Sequence, residues 1–283
     1  MSQQPLAYQF GEFLESPEAR PIRILSEYLE PLRRFQEQKI QDTVVFFGSA
    51  RVDSRERAER ALATLRARGV RHANEKYEAE LTKSRKAVEW ARYYEEAREL
   101  AKLLTRWSLT LQSDNHRFVV TSGGGPGIME AANRGASEAG GKTIGLNIRL
   151  PFEQGANPYI TQGLHFEFHY FFMRKFWFAY LAKALVVFPG GYGTLDELME
   201  ILTLVQTQKL EKKMVVILYG TSFWKEILNF DALVRYGMIS EEDLGLFEFA
   251  DDVQTAFKLL ESGLTKYYLE PDKELPAIAR SRI

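Results

Sequence analysis

The sequence predicts an α/β fold: a Rossmann-like parallel sheet flanked by helices, with an extra helical insertion. Short apolar runs rich in β-branched and aromatic residues recur along the chain, and helical patterns alternate with them. Two of the runs end in glycine-rich loops. The 283 residues are 45% hydrophobic and 27% charged, which suits one globular domain over 1–283.

Taken in order, residues 1–41 read as a helical lead-in, a polar stretch followed by one amphipathic helix at about 22–38. Thr43-Val44-Val45-Phe46-Phe47, stopped by Gly48, suits a central parallel strand entering a turn. Residues 54–112 carry dense charge and no strand pattern. A shorter helix at 55–68 is closed by Gly69, and Val88, Ala91, Tyr94, Ala97, Ala101 and Leu104 recur at helical spacing along a longer one. The expectation for this insertion is a solvated helical hairpin without a chemical role. From Arg117 the alternation is regular. Strands are expected at 118–121, 143–146, 165–168, 184–188 and 214–218. Helices are expected at about 128–139, 171–183 and 194–208, with another after the last strand. Residues 264–283 read as a C-terminal tail.

Composition narrows the function. Net charge is −1 and the pI is near 6.5, so no global basic field draws in nucleic acid and any phosphate site must be local. With no cysteine, disulfides, zinc–thiolate sites and a cysteine nucleophile are excluded. Met1 to Gly11 lacks an apolar signal core, and the most apolar run, 170–188, is broken by Arg174, Lys175 and Lys183. The expectation is a cytoplasmic protein without a membrane or nucleic-acid partner. The four histidines show no metal spacing, and no metal site is expected.

In such sheets ligands sit beyond the carboxyl ends of the strands, where both glycine-rich loops fall. The first, Ser122-Gly123-Gly124-Gly125-Pro126-Gly127-Ile128-Met129-Glu130, turns tightly and opens a helix whose amides and dipole favour an anion. The second, Pro189-Gly190-Gly191-Tyr192-Gly193-Thr194, lacks the Gly-Lys-Thr ending of a Walker loop and the spacing of the dinucleotide fingerprint. Thr194 is expected where the helix starts, to cap it or to donate to a phosphate. Glu197 is either the far end of a Thr-x-x-Glu capping box or a carboxylate beside a ligand. Arg174 and Lys175 sit among aromatics, either snorkelling to the surface or clamping an anion.

Together, Gly-Gly-Gly-x-x-Gly-Ile-Met and Pro-Gly-Gly-x-Gly-Thr-x-x-Glu resemble the motifs of the LOG family, the cytokinin riboside 5′-monophosphate phosphoribohydrolases, often mislabelled lysine decarboxylases. The resemblance covers 43–51 and 117–220, and an Arg-Lys pair precedes the second motif as it does in the family. It implies Arg174 and Glu197 as the catalytic pair. It also implies that Gly124, Gly125, Gly127, Gly191, Gly193 and Thr194 hold the ribose phosphate. Gly48, Ser49, Met129, Glu130, Lys175 and Gly190 complete the expected substrate-binding set. Ala50 replaces the second serine of the family's first-strand Gly-Ser-Ser loop, and Asp196 stands where many members have Glu. Typical short members lack the insertion and much of the lead-in. Longer bacterial members with the Leu150-Pro151-Phe152-Glu153-Gln154 stretch are nearer to this chain.

The implied reaction is hydrolysis of the N-glycosidic bond of a nucleoside 5′-monophosphate, such as AMP, to base and ribose 5-phosphate. It needs no organic cofactor, and Mg²⁺ is not demanded. The family also implies a homodimer or a multiple of dimers. The main alternative is a non-catalytic nucleotide or molybdenum-cofactor carrier on the same fold, which would need no Arg–Glu pair. Lysine decarboxylation is a poor fit, because no lysine stands in a context suited to a pyridoxal Schiff base.

Overall fold

The computed structural model describes residues 5–69, 75–150, 155–210 and 212–270. Four of the five residues of the 150–154 stretch, and 271–283 of the expected tail, lie outside them.

Ten α-helices and seven strands are present among the described residues. A short helix α1 (Gly11–Glu15) leads into α2 (Arg20–Glu37), and β1 (Thr43–Phe47) follows. The insertion is α3 (Arg55–Gly69) and α4 (Glu75–Ser108). Next come β2 (Val119–Ser122), α5 (Ile128–Glu138), β3 (Thr143–Ile148), β4 (His165–Phe168), α6 (Phe171–Leu181), β5 (Ala182–Val187) and α7 (Tyr192–Gln206). The chain continues through β6 (Val215–Tyr219), α8 (Thr221–Ile227), α9 (Phe230–Arg235), β7 (Glu248–Ala250) and α10 (Val253–Leu264). The strands form one sheet in the order β4-β3-β2-β1-β5-β6-β7, with every pair parallel. The chain first builds outward from β1 through β4, then returns to β1's other side with β5. The β1/β5 boundary is thus the switch point, where the carboxyl ends of two strands open a crevice.

Strand residues alternate between two cores. Val45, Phe47, Leu185 and Val187 face α2, α6, α7 and α8, packing with Phe35, Trp177, Leu198 and Trp224. Val44, Phe46, Val186 and Phe188 face α4, α5 and α10, packing with Tyr94, Leu100, Ala132 and Leu260. The insertion is therefore not the solvated hairpin that its charge suggests. Ala91, Tyr93, Tyr94, Ala97, Leu100, Ala101 and Leu104 make a buried stripe on α4, and charge occupies only the other faces. Gly135 lets α4 and α5 cross closely, since a side chain there would overlap the Arg98 carbonyl.

Several boundaries differ from expectation. The helix at 171–183 gives way to β5 at Ala182, two residues early, because Ala182 and Ala184 pair with Thr43 and Val44 of β1. β3 runs on to Ile148 because β4 pairs along it. β7 and α10 carry weak or short patterns and were not expected. Of the expected tail, Thr265–Leu269 form a π-helical turn whose Tyr267, Tyr268 and Leu269 pack on the second core. Among the described residues no helix is long and apolar enough to cross a membrane.

Candidate functional site

Ser49, just beyond β1, ties the two glycine loops together. Its N–H donates to the Pro189 carbonyl at 3.0 Å, and its carbonyl accepts from Ile128 N–H at 3.1 Å. Its hydroxyl accepts from Arg51 N–H at 3.1 Å. Gly48 packs on the Ile128 side chain, where a Cβ would come within 2.7 Å of it. The three strand ends β1, β2 and β5 are thereby fixed relative to one another.

The second loop differs from expectation in a way that matters for chemistry. α7 begins at Tyr192, two residues before Thr194, with Gly191 at its N-cap and no side chain capping it. Thr194 therefore lies inside the first turn, and the Thr194–Glu197 capping box does not form. The amides of Tyr192, Gly193 and Thr194 have no hydrogen-bond partner among the described residues. Gly191, Tyr192 and Gly193 are exposed, Thr194 is buried, and nothing lies near where a Cβ of Gly191 or Gly193 would sit. Gly190 packs against the Thr194 side chain. This is a helix N-terminus with open amides and room above them, suited to a phosphate.

Without a capping role, Glu197 turns inward. It is 6% exposed, and its Oε1 lies 3.9 Å from Arg174 Nη1. Arg174 Nε donates to the Leu146 carbonyl at 2.9 Å, and the guanidinium sits 5.0 Å from the centre of the Phe178 ring. A Cβ on Gly123 would meet Arg174 Nη2 at 2.9 Å and Met129 Sδ at 2.7 Å, so Arg174 and Met129 meet over the first loop. Burial pushes the Glu197 carboxyl up to about 7, against the pull of Arg174 and Lys175. Burial also lowers the Arg174 guanidinium. Lys175 is not free for a ligand: its Nζ pairs with Asp196 at 2.8 Å and with Glu200 at 2.9 Å. It braces the first turns of α7 and adds positive potential at Glu197.

The first loop is mostly buried, and its polar groups are largely spoken for. Gly124 N–H donates to Ser122 Oγ, while Gly124 and Gly125 carbonyls accept from Asn157. Gly127 takes φ 72° and ψ −132° and lies against the Ser49 backbone. Glu130 points away from the crevice, toward the insertion. It accepts from the Tyr94 hydroxyl at 2.7 Å and pairs with Arg57 at 3.1 Å. Sequence reasoning missed Asn157 and the Tyr94–Glu130–Arg57 link. For Asn157 the available signal was an Asn-Pro step in the β3–β4 connection. For Tyr94 it was a hydroxyl on the buried stripe of α4, which needs a partner.

The raised Glu197 carboxyl has a consequence for stability. Its pKa in the fold lies above that of the unfolded chain, so the stability it allows is full below about 4.5 and is lost as pH rises through about 7. Glu197→Gln removes this titration. We expect the variant to gain about 2.5 kcal/mol over the native chain between pH 5 and pH 8. Thermal melts of both proteins at the two pH values check it, and a difference independent of pH would contradict it.

A family model described as possible lysine decarboxylase matches residues 129–260. The cytokinin riboside 5′-monophosphate phosphoribohydrolase LOG of Oryza sativa subsp. japonica is 31% identical over 159 residues, 54% of this chain and 59% of that protein. A cytokinin riboside 5′-monophosphate phosphoribohydrolase of Arabidopsis thaliana is 28% identical over 60% of this chain and 71% of that protein. The chain thus spans about three fifths of the length of the rice relative. Among solved structures, the Moco carrier protein from Chlamydomonas reinhardtii is 22% identical, with a TM-score of 0.44 over 80% of this chain and 99% of that one. The molybdenum cofactor binding protein from Rippkaea orientalis is 21% identical, with a TM-score of 0.41 over 60% of this chain and 86% of that one.

Proposed function

We propose, from its likeness to the LOG family, that the chain is a nucleoside 5′-monophosphate phosphoribohydrolase. It would release a free base and ribose 5-phosphate from AMP or a cytokinin riboside monophosphate. The observation that carries the reading is the buried Glu197 carboxyl, 3.9 Å from Arg174 and on the same helix that presents open amides to a phosphate. A pure carrier needs the amides but gains nothing from a carboxyl held at this cost.

In this reading the α7 amides and Thr194 hold the phosphate, and the first loop walls the ribose. The C1′–N bond breaks with its electron pair leaving on the base, which takes up a proton. Positive charge develops at C1′, as in other glycoside cleavages. The Glu197 carboxylate stabilises that charge and orients the attacking water, whose proton it accepts. Arg174 orients the substrate or assists the departing base. No organic cofactor is required, and neutral amide donors explain how a chain of net charge −1 takes an anion. We place the protein in the cytoplasm, as a homodimer or a multiple of dimers.

Incubation with AMP and isopentenyladenosine monophosphate, followed by chromatography, tests the reading. Free base from at least one nucleotide of a panel is the expected result. Tight binding without release from any of them would overturn it in favour of a carrier.

A further inference from the structure

The residue that shapes the first glycine loop is Asn157, in the β3–β4 connection. It is 6% exposed. Its backbone N–H and its Nδ2 donate to the Gly124 carbonyl, at 2.8 and 3.0 Å. Nδ2 also reaches the Gly125 carbonyl at 3.1 Å and Asn133 Oδ1 at 2.9 Å. Asn133 is fully buried and fixed in turn. It accepts from Ser122 Oγ and donates to the Ile144 carbonyl and to Thr143 Oγ1. Tyr159 N–H donates to Asn157 Oδ1 at 3.2 Å, which sets the orientation of the amide. A closed network of side chains thus grips the loop from the α5 side.

Peptide geometry turns this grip into a statement about the crevice. The Gly124–Gly125 peptide is trans, so its carbonyl and its N–H point in opposite directions. With the Gly124 carbonyl held toward Asn157, the Gly125 N–H points the other way, away from that grip. Gly125 is buried, and its N–H has no hydrogen-bond partner among the described residues. Buried backbone donors are almost always paired in a working protein. An acceptor oxygen on a bound ligand would supply the missing partner.

We infer that Asn157 is a positioning residue, which holds the Gly124–Gly125 peptide so that Gly125 N–H donates to an oxygen of the ribose-phosphate half of the substrate. The inference rests on the phosphoribosyl reading of the site. Asn157 acts through Gly125 and touches no substrate itself. Without its side chain the Gly124 carbonyl keeps only the backbone N–H of residue 157 and the Gly125 carbonyl loses its donor, so the peptide is held less firmly, and a rotated peptide presents a carbonyl where an anion expects a donor.

Ribose 5-phosphate is the probe, in two measurements. In the native protein, hydrogen exchange followed by mass spectrometry across 119–127 slows at Gly125 when the probe is added. By calorimetry, Asn157→Ala binds the probe about ten-fold or more weakly, and with nucleotide substrate its KM rises more than its kcat falls. A native protein that binds the probe with unchanged exchange at Gly125, or an Asn157→Ala protein that binds it equally well, overturns the inference and leaves the hydrolase reading standing. The exchange measurement needs no variant, so it decides the matter even if Asn157→Ala fails to fold. A native protein that neither binds ribose 5-phosphate nor releases base from any nucleotide removes the hydrolase reading, and the inference with it.

Discussion

Glu197→Ala is expected to lose about 1,000-fold or more in kcat while keeping its affinity for ribose 5-phosphate. The phosphate-binding groups are backbone amides of α7 and the Thr194 hydroxyl, and none of them depends on the Glu197 side chain. The carboxylate interacts with charge that exists only as the glycosidic bond breaks, so its loss falls on kcat. The native enzyme adds a second signature. With the carboxyl pushed up to about 7, kcat/KM for nucleotide rises with pH through neutrality, as the catalytic carboxylate forms. Glu197→Gln abolishes that limb along with the activity. Steady-state kinetics from pH 5 to pH 9, paired with calorimetry, check both. A nearly active Glu197→Ala, or activity that falls as pH rises through 7, would reject the carboxylate role.

Gly127→Ala is expected to cost about 4 kcal/mol or more of stability, and with it the soluble fold at moderate temperature. At φ 72° and ψ −132° Gly127 occupies a region essentially restricted to glycine, worth about 1–3 kcal/mol of strain for any other residue. Added to this is contact with backbone, because a Cβ would overlap the Ser49 carbonyl and lie 2.8 Å from Ala50 Cα. Ser49 cannot retreat without giving up its bonds to Ile128 and Pro189, so one methyl group loosens three strand ends at once. Gly193→Ala is the control: nothing lies near its Cβ position, and its cost should be small. Denaturant titrations of the two variants measure the difference. Equal stabilities would contradict the role given to Gly127.

The difference between Gly127 and Glu130 shows what the sequence can carry. Glycine spacing reports a local backbone demand, so the loops, the strand ends and the sheet were legible from the chain alone. Glu130 lies only three residues on, yet its partners are Tyr94 and Arg57, 36 and 73 residues away. Their direction depends on how α4 packs, and the charge on α4 masked its buried stripe. Thr194 and Glu197 carried a sound capping signal, but α7 starts earlier because three glycines within Gly190–Gly193 let the backbone enter the helix before Thr194. That shift releases Glu197 from the cap. For Asn157 the sequence offers only an Asn-Pro step, which reports a turn, and its importance exists only once the β3–β4 connection lies against the first loop.

The central claim is that this chain breaks an N-glycosidic bond with water. Digestion of a nucleoside 5′-monophosphate in water carrying heavy oxygen, with mass analysis of the sugar phosphate, tests it most directly. The expected result is free base and ribose 5-phosphate in equal amounts, with one solvent oxygen at C1 and no turnover by Glu197→Ala. Intact nucleotide after prolonged incubation with a protein that binds it, or sugar phosphate without solvent oxygen, would contradict the account.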